Sequence, residues 1–481
     1  MTTTGADAGA PTPQTGPARP LHRTATPYLA VPALAVSLTL GLSTDAPTLW
    51  GLLPVVLYAV LALTGADLAL ATGVALLSAV LLALPAPGTA ADVLGGTLTD
   101  PVTLIGLIIV FGAAVGEVLR VTGVADALVR GILRAVEGRG TTALTYAMMG
   151  ACLVLVAGLG TLAGALAIAA PLLIPVAARA GLTRSTTAVT MFLGGCAGLA
   201  LAPFAGSNIA IMHTADADYP TYLAVGAGPL ALLSLLLAAV VVPWVQRHSA
   251  ARGDFYRPEE VTRDEHTDPA DTRPDARTRR ATRAFLATLA VTVAYAAVTR
   301  AGTVFPLLAL PLLALVTAAA AGLSPARTAR AALTGARRML PMLLLFWMLA
   351  ALFGFVDLLR PYDVVLDTLG PDLRAMSALP FALAVAALGW VGVPGATAAQ
   401  VILIGEVFGP IGDELGIGPA AWVIVLLWAS KADTYGPLPN ANMVGAMGLA
   451  RARRLPYLLG TGWALLVPAC ALYAVLLDVI L

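Results

Sequence analysis

The chain has 481 residues, of which 59% are hydrophobic and 11% charged, with a formal net charge of +1 and a mean hydropathy of +0.87. Water-soluble domains carry about 25% charged residues, so a soluble enzyme is excluded, and so are one or two anchor helices attached to a soluble domain. The charge balance leaves no basic face for nucleic acid.

Residues 1–27 are rich in Thr, Pro, Gly and Ala. They lack the charge-then-apolar order of a signal peptide and read as a disordered cytoplasmic tail. Apolar runs follow at 28–44, 48–66, 68–86, 102–121, 142–178, 185–213 and 221–246. Residues 247–283 then mix nine arginines, eight acids and several prolines. Such a stretch cannot bury enough apolar surface to fold alone and reads as a charged cytoplasmic linker. Further apolar runs occupy 284–300, 303–322, 339–359, 377–412, 419–449 and 456–479. Helix is expected in all of them, because a backbone in lipid must satisfy its own hydrogen bonds. The chain thus divides into a first membrane half at 28–246, an extra helix plus one repeat, and a second at 284–481.

The runs at 142–178 and 377–412 are too long for one crossing and are broken midway, by Gly158, Gly160, Thr161 and Gly164 in one and by Gly392, Pro394, Gly395 and Thr397 in the other. Each predicts a re-entrant hairpin. The runs at 185–213 and 419–449 are interrupted by PFAGSN (203–208) and PLPNAN (437–442). Each of these predicts a helix unwound within the bilayer. Pro203 and Asn208 match Pro437 and Asn442 at an offset of 234, as Gly158 matches Gly392, while GEVLR at 116–120 resembles VDLLR at 356–360. Two copies of one unit are therefore expected.

Arginine placement orients them. With the N-terminus inside, 24 of the 28 Lys and Arg residues fall in cytoplasmic segments, as the positive-inside rule requires. The first hairpin then opens to the cytoplasm and the second opens outward, so the repeats are inverted. The fold class is an all-α polytopic membrane protein of about 11 transmembrane helices plus two re-entrant helical hairpins, placed in the inner (cytoplasmic) membrane.

Inverted repeats with discontinuous helices point to a secondary transporter, because broken helices expose backbone groups near the midplane. The order of hairpin, PFAGSN, span, linker, hairpin and PLPNAN resembles the ion transporter superfamily, which includes citrate, gluconate, lactate and dicarboxylate permeases and sodium/proton antiporters. In several members of that group a Ser-Asn-Thr triplet at each hairpin tip contacts substrate carboxylate and sodium. Here the tips read GLGT (158–161) and VPGAT (393–397), so the resemblance carries over only to Thr161 and Thr397. Ser207, Asn208, Asn440 and Asn442 stand in the unwound stretches instead.

Charge at membrane depth costs about 2.5–3.5 kcal/mol on insertion scales, so each such residue needs a reason. Lys431 is the only lysine in the chain and precedes Asp433 by two residues. Either Lys431 offers positive charge to an anionic substrate while Asp433 pairs with it or takes a coupling proton, or the two form a structural pair in an irregular turn beside the break. Glu406 is a further proton or ion site, or a rim charge. Glu117 and Asp357 read as interfacial anchors and His213 as an interfacial histidine.

Cys152, Cys196 and Cys470 lie inside apolar runs without metal-ligand spacing. No resident cofactor is expected, only H+ or Na+ as a coupling ion. The leading expectation is a carrier of a small organic anion, a carboxylate foremost, with a cation/proton antiporter on the same fold as the alternative. A membrane-embedded enzyme and a scaffold are disfavoured, since no catalytic constellation appears at helical spacing and a scaffold needs no polar breaks. The partners implied are an anionic small molecule and the lipid bilayer, with a homodimer left open.

Overall fold

A computed structural model of the protein describes residues 26–63, 66–136, 138–257, 275–299, 304–361, 364, 376–391, 397–436 and 440–481. Each apolar run of the sequence is helical there. The first copy and its extra helices comprise α1 (Thr26–Gly41), α2 (Leu53–Leu63), α3 (Leu68–Ala83), α4 (Pro87–Gly96), α5 (Pro101–Val121), α6 (Val124–Ala135), α7 (Thr141–Leu159), α8 (Leu162–Arg179), α9 (Arg184–Leu201) and α10 (Gly206–Thr214). A long helix, α11 (Tyr219–Ala250), leads out of it. The second part comprises α12 (Ala276–Thr299), α13 (Pro306–Ala320), α14 (Pro325–Asp357), α15 (Ala378–Leu388), α16 (Thr397–Glu414), α17 (Pro419–Tyr435), α18 (Ala441–Leu449) and α19 (Leu455–Ile480).

Among the described residues, six helices are long and apolar enough to cross a membrane, and α9 with α10, bent by 41° at their break, make a seventh. The other apolar helices are shorter than the runs that predict them. Hydropathy counts turn residues as part of a run, whereas hydrogen bonding does not: the run at 48–66 opens with a 3-10 turn, Leu49–Leu52, and leaves eleven residues for α2. The opposite occurs in α14, which begins within the arginine-rich 323–338 segment. Ser324 caps its N-terminus by accepting from Arg327 N, and the following Ala and Arg residues favour helix. Two helices have no counterpart among the apolar runs. One, α6, is too short and too charged to span; it buries Val124, Ala125, Ala127 and Val129 on one face. The other is α4, a weakly apolar ten-residue helix.

The first hairpin and the first break lie wholly within the described residues. Two helices, α7 and α8, join through Gly160, whose φ of +67° closes the turn in a conformation that glycine adopts without strain. In the second hairpin, α15 passes through a 3-10 turn at Gly389–Val391, and residues 392–396 of its tip lie outside the described residues. A break separates α9 from α10, while α17 ends at Tyr435 and α18 begins at Ala441, with residues 437–439 between them outside the described residues.

The related helices run in opposite directions. Gly106 of α5 meets Leu343 and Phe346 of α14, whereas Gly335 further back along α14 meets Ala113 further along α5. The same holds for α9 and α17: Phe192 makes an edge contact with Tyr435 at 6.3 Å, while Cys196, four residues later, is within electrostatic reach of Lys431, four residues earlier. Antiparallel pairing of sequence-related helices is the geometry of an inverted repeat. The second arms of the hairpins cross over between copies, α8 packing on α18 and α16 on α10.

Close approach at the centre depends on small residues, as expected where lipid gives no hydrophobic drive to association. A Cβ on Gly194 or Gly198 of α9 would stand 2.4 Å from the carbonyl oxygens of Met149 and Leu153 of α7.

Candidate functional site

The tip of the first hairpin lies against the first break: a Cβ on Gly160 would stand 3.3 Å from the carbonyl oxygen of Phe204 and 3.4 Å from Ala205 Cα. This contact brings two helix N-termini together, that of α8, capped at Thr161, and that of α10, capped at Ala205. Neither cap's side chain accepts a hydrogen bond from its own helix. Thr161 is half-buried. The same tip rests on Gly195 of α9 through Leu162. Leu162 also lines a cavity of about 370 Å³ together with Asn442 of α18.

The carbonyl end of the first break is closed. Asn208 is fully buried, and its Nδ2 donates to the carbonyls of Leu199 (2.7 Å), Ala200 (3.2 Å) and Ala202 (2.8 Å). Tyr219 Oη donates to Leu201 O at 2.7 Å and Tyr222 Oη to Ala200 O at 2.8 Å. The last carbonyls of α9 thus already accept from side chains, which removes them as ready ligands for a cation. Ser207 Oγ donates to Asn208 Oδ1 at 3.3 Å.

At the second break the capping residue is Asn440. Its Oδ1 accepts from Met443 N at 2.9 Å and its Nδ2 donates to Thr434 O at 3.2 Å, so it bridges the two halves. Asn442, the sequence counterpart of Asn208, is instead half-buried and faces the cavity under the first hairpin.

Lys431 is buried on α17, beside α9. Helix α17 is regular through Tyr435. Positions 431 and 433 are therefore about 200° apart around its axis, which corrects the expected irregular turn. Asp433's side chain lies outside the described residues, as do Pro437, Leu438 and Pro439 of the break. Thr397 starts α16 and is half-buried. One turn on, buried Gln400 donates to the carbonyls of Gly389 and, at 3.5 Å, Ala429, tying the second hairpin to α17 two residues before Lys431. The hairpins thus converge on the crossing of α9 and α17.

Glu406 stands apart from this group, nine residues along α16 from Thr397, or about 13 Å at 1.5 Å per residue. Its neighbour Gly405 packs on Thr214 at the end of α10. Asp100 and Asp357 are its electrostatic neighbours, and Asp100 also acts on His213. Among the described residues, no three such groups are close enough to hold a metal ion. His213, Asp216 and Asp218 line a cavity of about 540 Å³ whose wall includes Pro203 and Phe204 of the first break, and among the described residues no Lys or Arg lines it. Asp100 carries no signal in sequence beyond capping α5 through Val102 N at 2.8 Å; only packing brings it to Glu406.

Glu117, near the end of α5, is buried and accepts from Arg120 of its own helix and, at 3.2 Å, from Arg338 of α14.

A family model described as the Na+/H+ antiporter family matches residues 23–245. Two solved structures cover nearly the whole chain. The YdaH transporter of Alcanivorax borkumensis is 18% identical with a TM-score of 0.58, covering 96% of this chain and 98% of its own. MtrF of Neisseria gonorrhoeae, described with a class of antimetabolite efflux pumps, is 13% identical with a TM-score of 0.57, covering 92% and 97%. Over its first half the chain is similar to the Na+/H+ antiporter family, and over nearly its whole length it shares the fold of these two transporters. No curated protein sequence matches it. These likenesses are to transporters and not to enzymes, and at such identities the solved structures speak for fold alone.

Proposed function

We propose that this transporter is a proton-coupled antiporter, exchanging a cation for protons across the inner membrane, with its N-terminus in the cytoplasm. The observation that carries this reading is the cavity at the first break, lined by Asp216, Asp218 and His213, with no Lys or Arg among the described residues of its wall. Such a vestibule concentrates cations and protons. Beyond it, Glu406, Asp357 and Asp100 are mutual neighbours. Repulsion among carboxylates is relieved by a proton or by a cation, and competition between the two is the physical basis of exchange. The match to the Na+/H+ antiporter family over the first half supports the same assignment.

A second reading, in which the cargo bears a carboxylate, rests on the other cluster. The N-termini of α8 and α10 meet at the first hairpin tip, and Lys431 is buried at the crossing of α9 and α17 with which that tip is in contact. Helix N-termini and a buried cation favour an anionic group. In this reading Thr161, Ser207, Thr397, Lys431 and Asn442 face the substrate, with Asn208 and Asn440 holding the breaks open. The antimetabolite efflux ascribed to the MtrF class is compatible with such a cargo.

Reconstituted vesicles with an acidic lumen and a pH-sensitive dye separate the two. The antiporter reading expects added Na+, K+ or Li+ to collapse the gradient. Collapse by organic carboxylates, with none by any cation, would transfer the assignment to the second reading.

A further inference from the structure

Helix α11 is not α-helical throughout. After the short turn Tyr219–Tyr222 it passes through a π-helical turn, Leu223–Ala227, in which Gly228 N donates to Leu223 O, and only then continues as α-helix to Ala250. Such wide turns are rare, and they fall frequently at functional positions. The inverted repeat does not demand one here. At the offset of 234 that relates the breaks, Leu223–Ala227 corresponds to residues 457–461, which lie inside α19, and α19 is α-helical from Leu455 to Ile480. The wide turn is particular to the first copy.

Its neighbours show what it joins. The turn lies on α17: a Cβ on Gly226 would stand 3.0 Å from Val423 Cγ1 and closer still to Leu427 Cδ1, one helical turn before Lys431. Buried Tyr473 of α19 donates its hydroxyl to Gly226 O at 3.1 Å, and its ring lies 6.4 Å from that of Trp428 of α17. Immediately before the turn, Tyr219 and Tyr222 hold the last carbonyls of α9 at the first break. After it, Ser234 Oγ shares a hydrogen bond of 3.3 Å with Tyr435 Oη at the end of α17. The wide turn thus stands between two sets of contacts, one to the first break and one to the helix that carries Lys431. If it closed up to ordinary α-helix, the residues on its two sides would turn by about 100° and shift by about 1.5 Å relative to each other. Both sets of contacts could not then be kept.

We propose that Tyr473 is a positioning residue for transport: its hydroxyl holds the wide turn of α11, and the turn sets the register of α17, with Lys431, against the first break. This rests on the reading of the chain as a carrier and holds for either cargo. Tyr473→Phe keeps the ring and removes only the hydroxyl, so the variant should fold and melt within about 4 °C of wild type. Without its clasp the turn spends part of its time in the narrower form, and only the wide form binds cargo. Loss of binding-competent population raises the half-saturating concentration without lowering the rate at saturation. In proteoliposomes with an acidic lumen, titrated with Na+, or with citrate if Na+ leaves the wild-type gradient intact, Tyr473→Phe should need at least about fivefold more cargo for half-maximal rate while its maximal rate stays within about twofold. A merely structural loss does the reverse, since fewer folded molecules lower the maximal rate and leave half-saturation where it was. Tyr58→Phe, at a buried tyrosine of α2, should match wild type in both. Amide hydrogen exchange at residues 223–228 should be faster in Tyr473→Phe than in wild type. An unchanged half-saturating concentration or unchanged exchange in Tyr473→Phe, or an equal rise in Tyr58→Phe, would overturn the proposal while leaving the carrier reading in place. A wild type inert to both Na+ and citrate would overturn the carrier reading and the transport role of Tyr473 with it.

Discussion

Asn208 and Asn440 serve corresponding carbonyls from non-corresponding positions. Thr434 O, which accepts from Asn440, is the offset-234 counterpart of Ala200 O, which accepts from Asn208. Sequence register pairs Asn208 with Asn442, and the structure shows the capping function moved by two residues. A break needs an amide within reach of the last carbonyls, and either end of the loop supplies one. Asn208→Ala should therefore cost about 1–3 kcal/mol, the price of leaving buried carbonyls unsatisfied. Asn440→Ala should cost about 0.5–2 kcal/mol, as for a lost helix cap. Asn442→Ala should leave thermal unfolding in detergent nearly unchanged; a larger loss from Asn442→Ala than from Asn440→Ala would contradict this division. For Lys431 the expectation concerns transport: Lys431→Gln should lower it more than tenfold while Lys431→Arg retains a measurable part, because charge is needed at that depth more than ammonium geometry. Wild-type rates in Lys431→Gln would remove it from the mechanism. These site residues were legible in sequence as polar groups in apolar runs. Their grouping was not, since Glu406 joins Asp100 and His213 only through the packing of α16 on α10 and of α10 on α5.

Helix contacts across the repeat are set by glycines whose position is legible but whose neighbours are not. Gly198 and Gly150 look alike in sequence, each within an apolar helix. A Cβ on Gly198 would stand 2.4 Å from Leu153 O, whereas one on Gly150 would meet nothing within 4 Å. Gly198→Ala should accordingly cost about 1–3 kcal/mol through forced separation of α7 from α9, and Gly150→Ala should be neutral or stabilising by up to about 1 kcal/mol. Comparison of melting temperatures and yields of the two variants tests this; equal behaviour would mean that α7 and α9 do not pack as described. The elements themselves were readable from hydropathy because lipid forces helix. Their ends were misjudged wherever a capping residue or an alanine-arginine stretch decided them, as at the start of α14, and α6 was missed because an amphipathic helix lying between spans carries no long apolar run.

At the scale of the whole molecule, antiparallel pairing of α5 with α14 and of α9 with α17 relates the two copies by inversion, and the proposed orientation rests on arginine placement. Cysteines introduced at Thr267 and Asp413, in a background without Cys152, Cys196 and Cys470, should react with impermeant thiol reagents from opposite sides of the membrane, Thr267 from the cytoplasm. Labelling of both from one side would contradict the proposed orientation. The central claim is that the protein exchanges a cation for protons as a carrier, and it is tested most directly by counterflow in proteoliposomes. With labelled Na+ trapped inside at uniform pH, adding unlabelled Na+ or acidifying the outside should accelerate the label's exit, since a carrier returns faster loaded than empty. Exit at a rate independent of what stands outside would describe a pore and contradict the account.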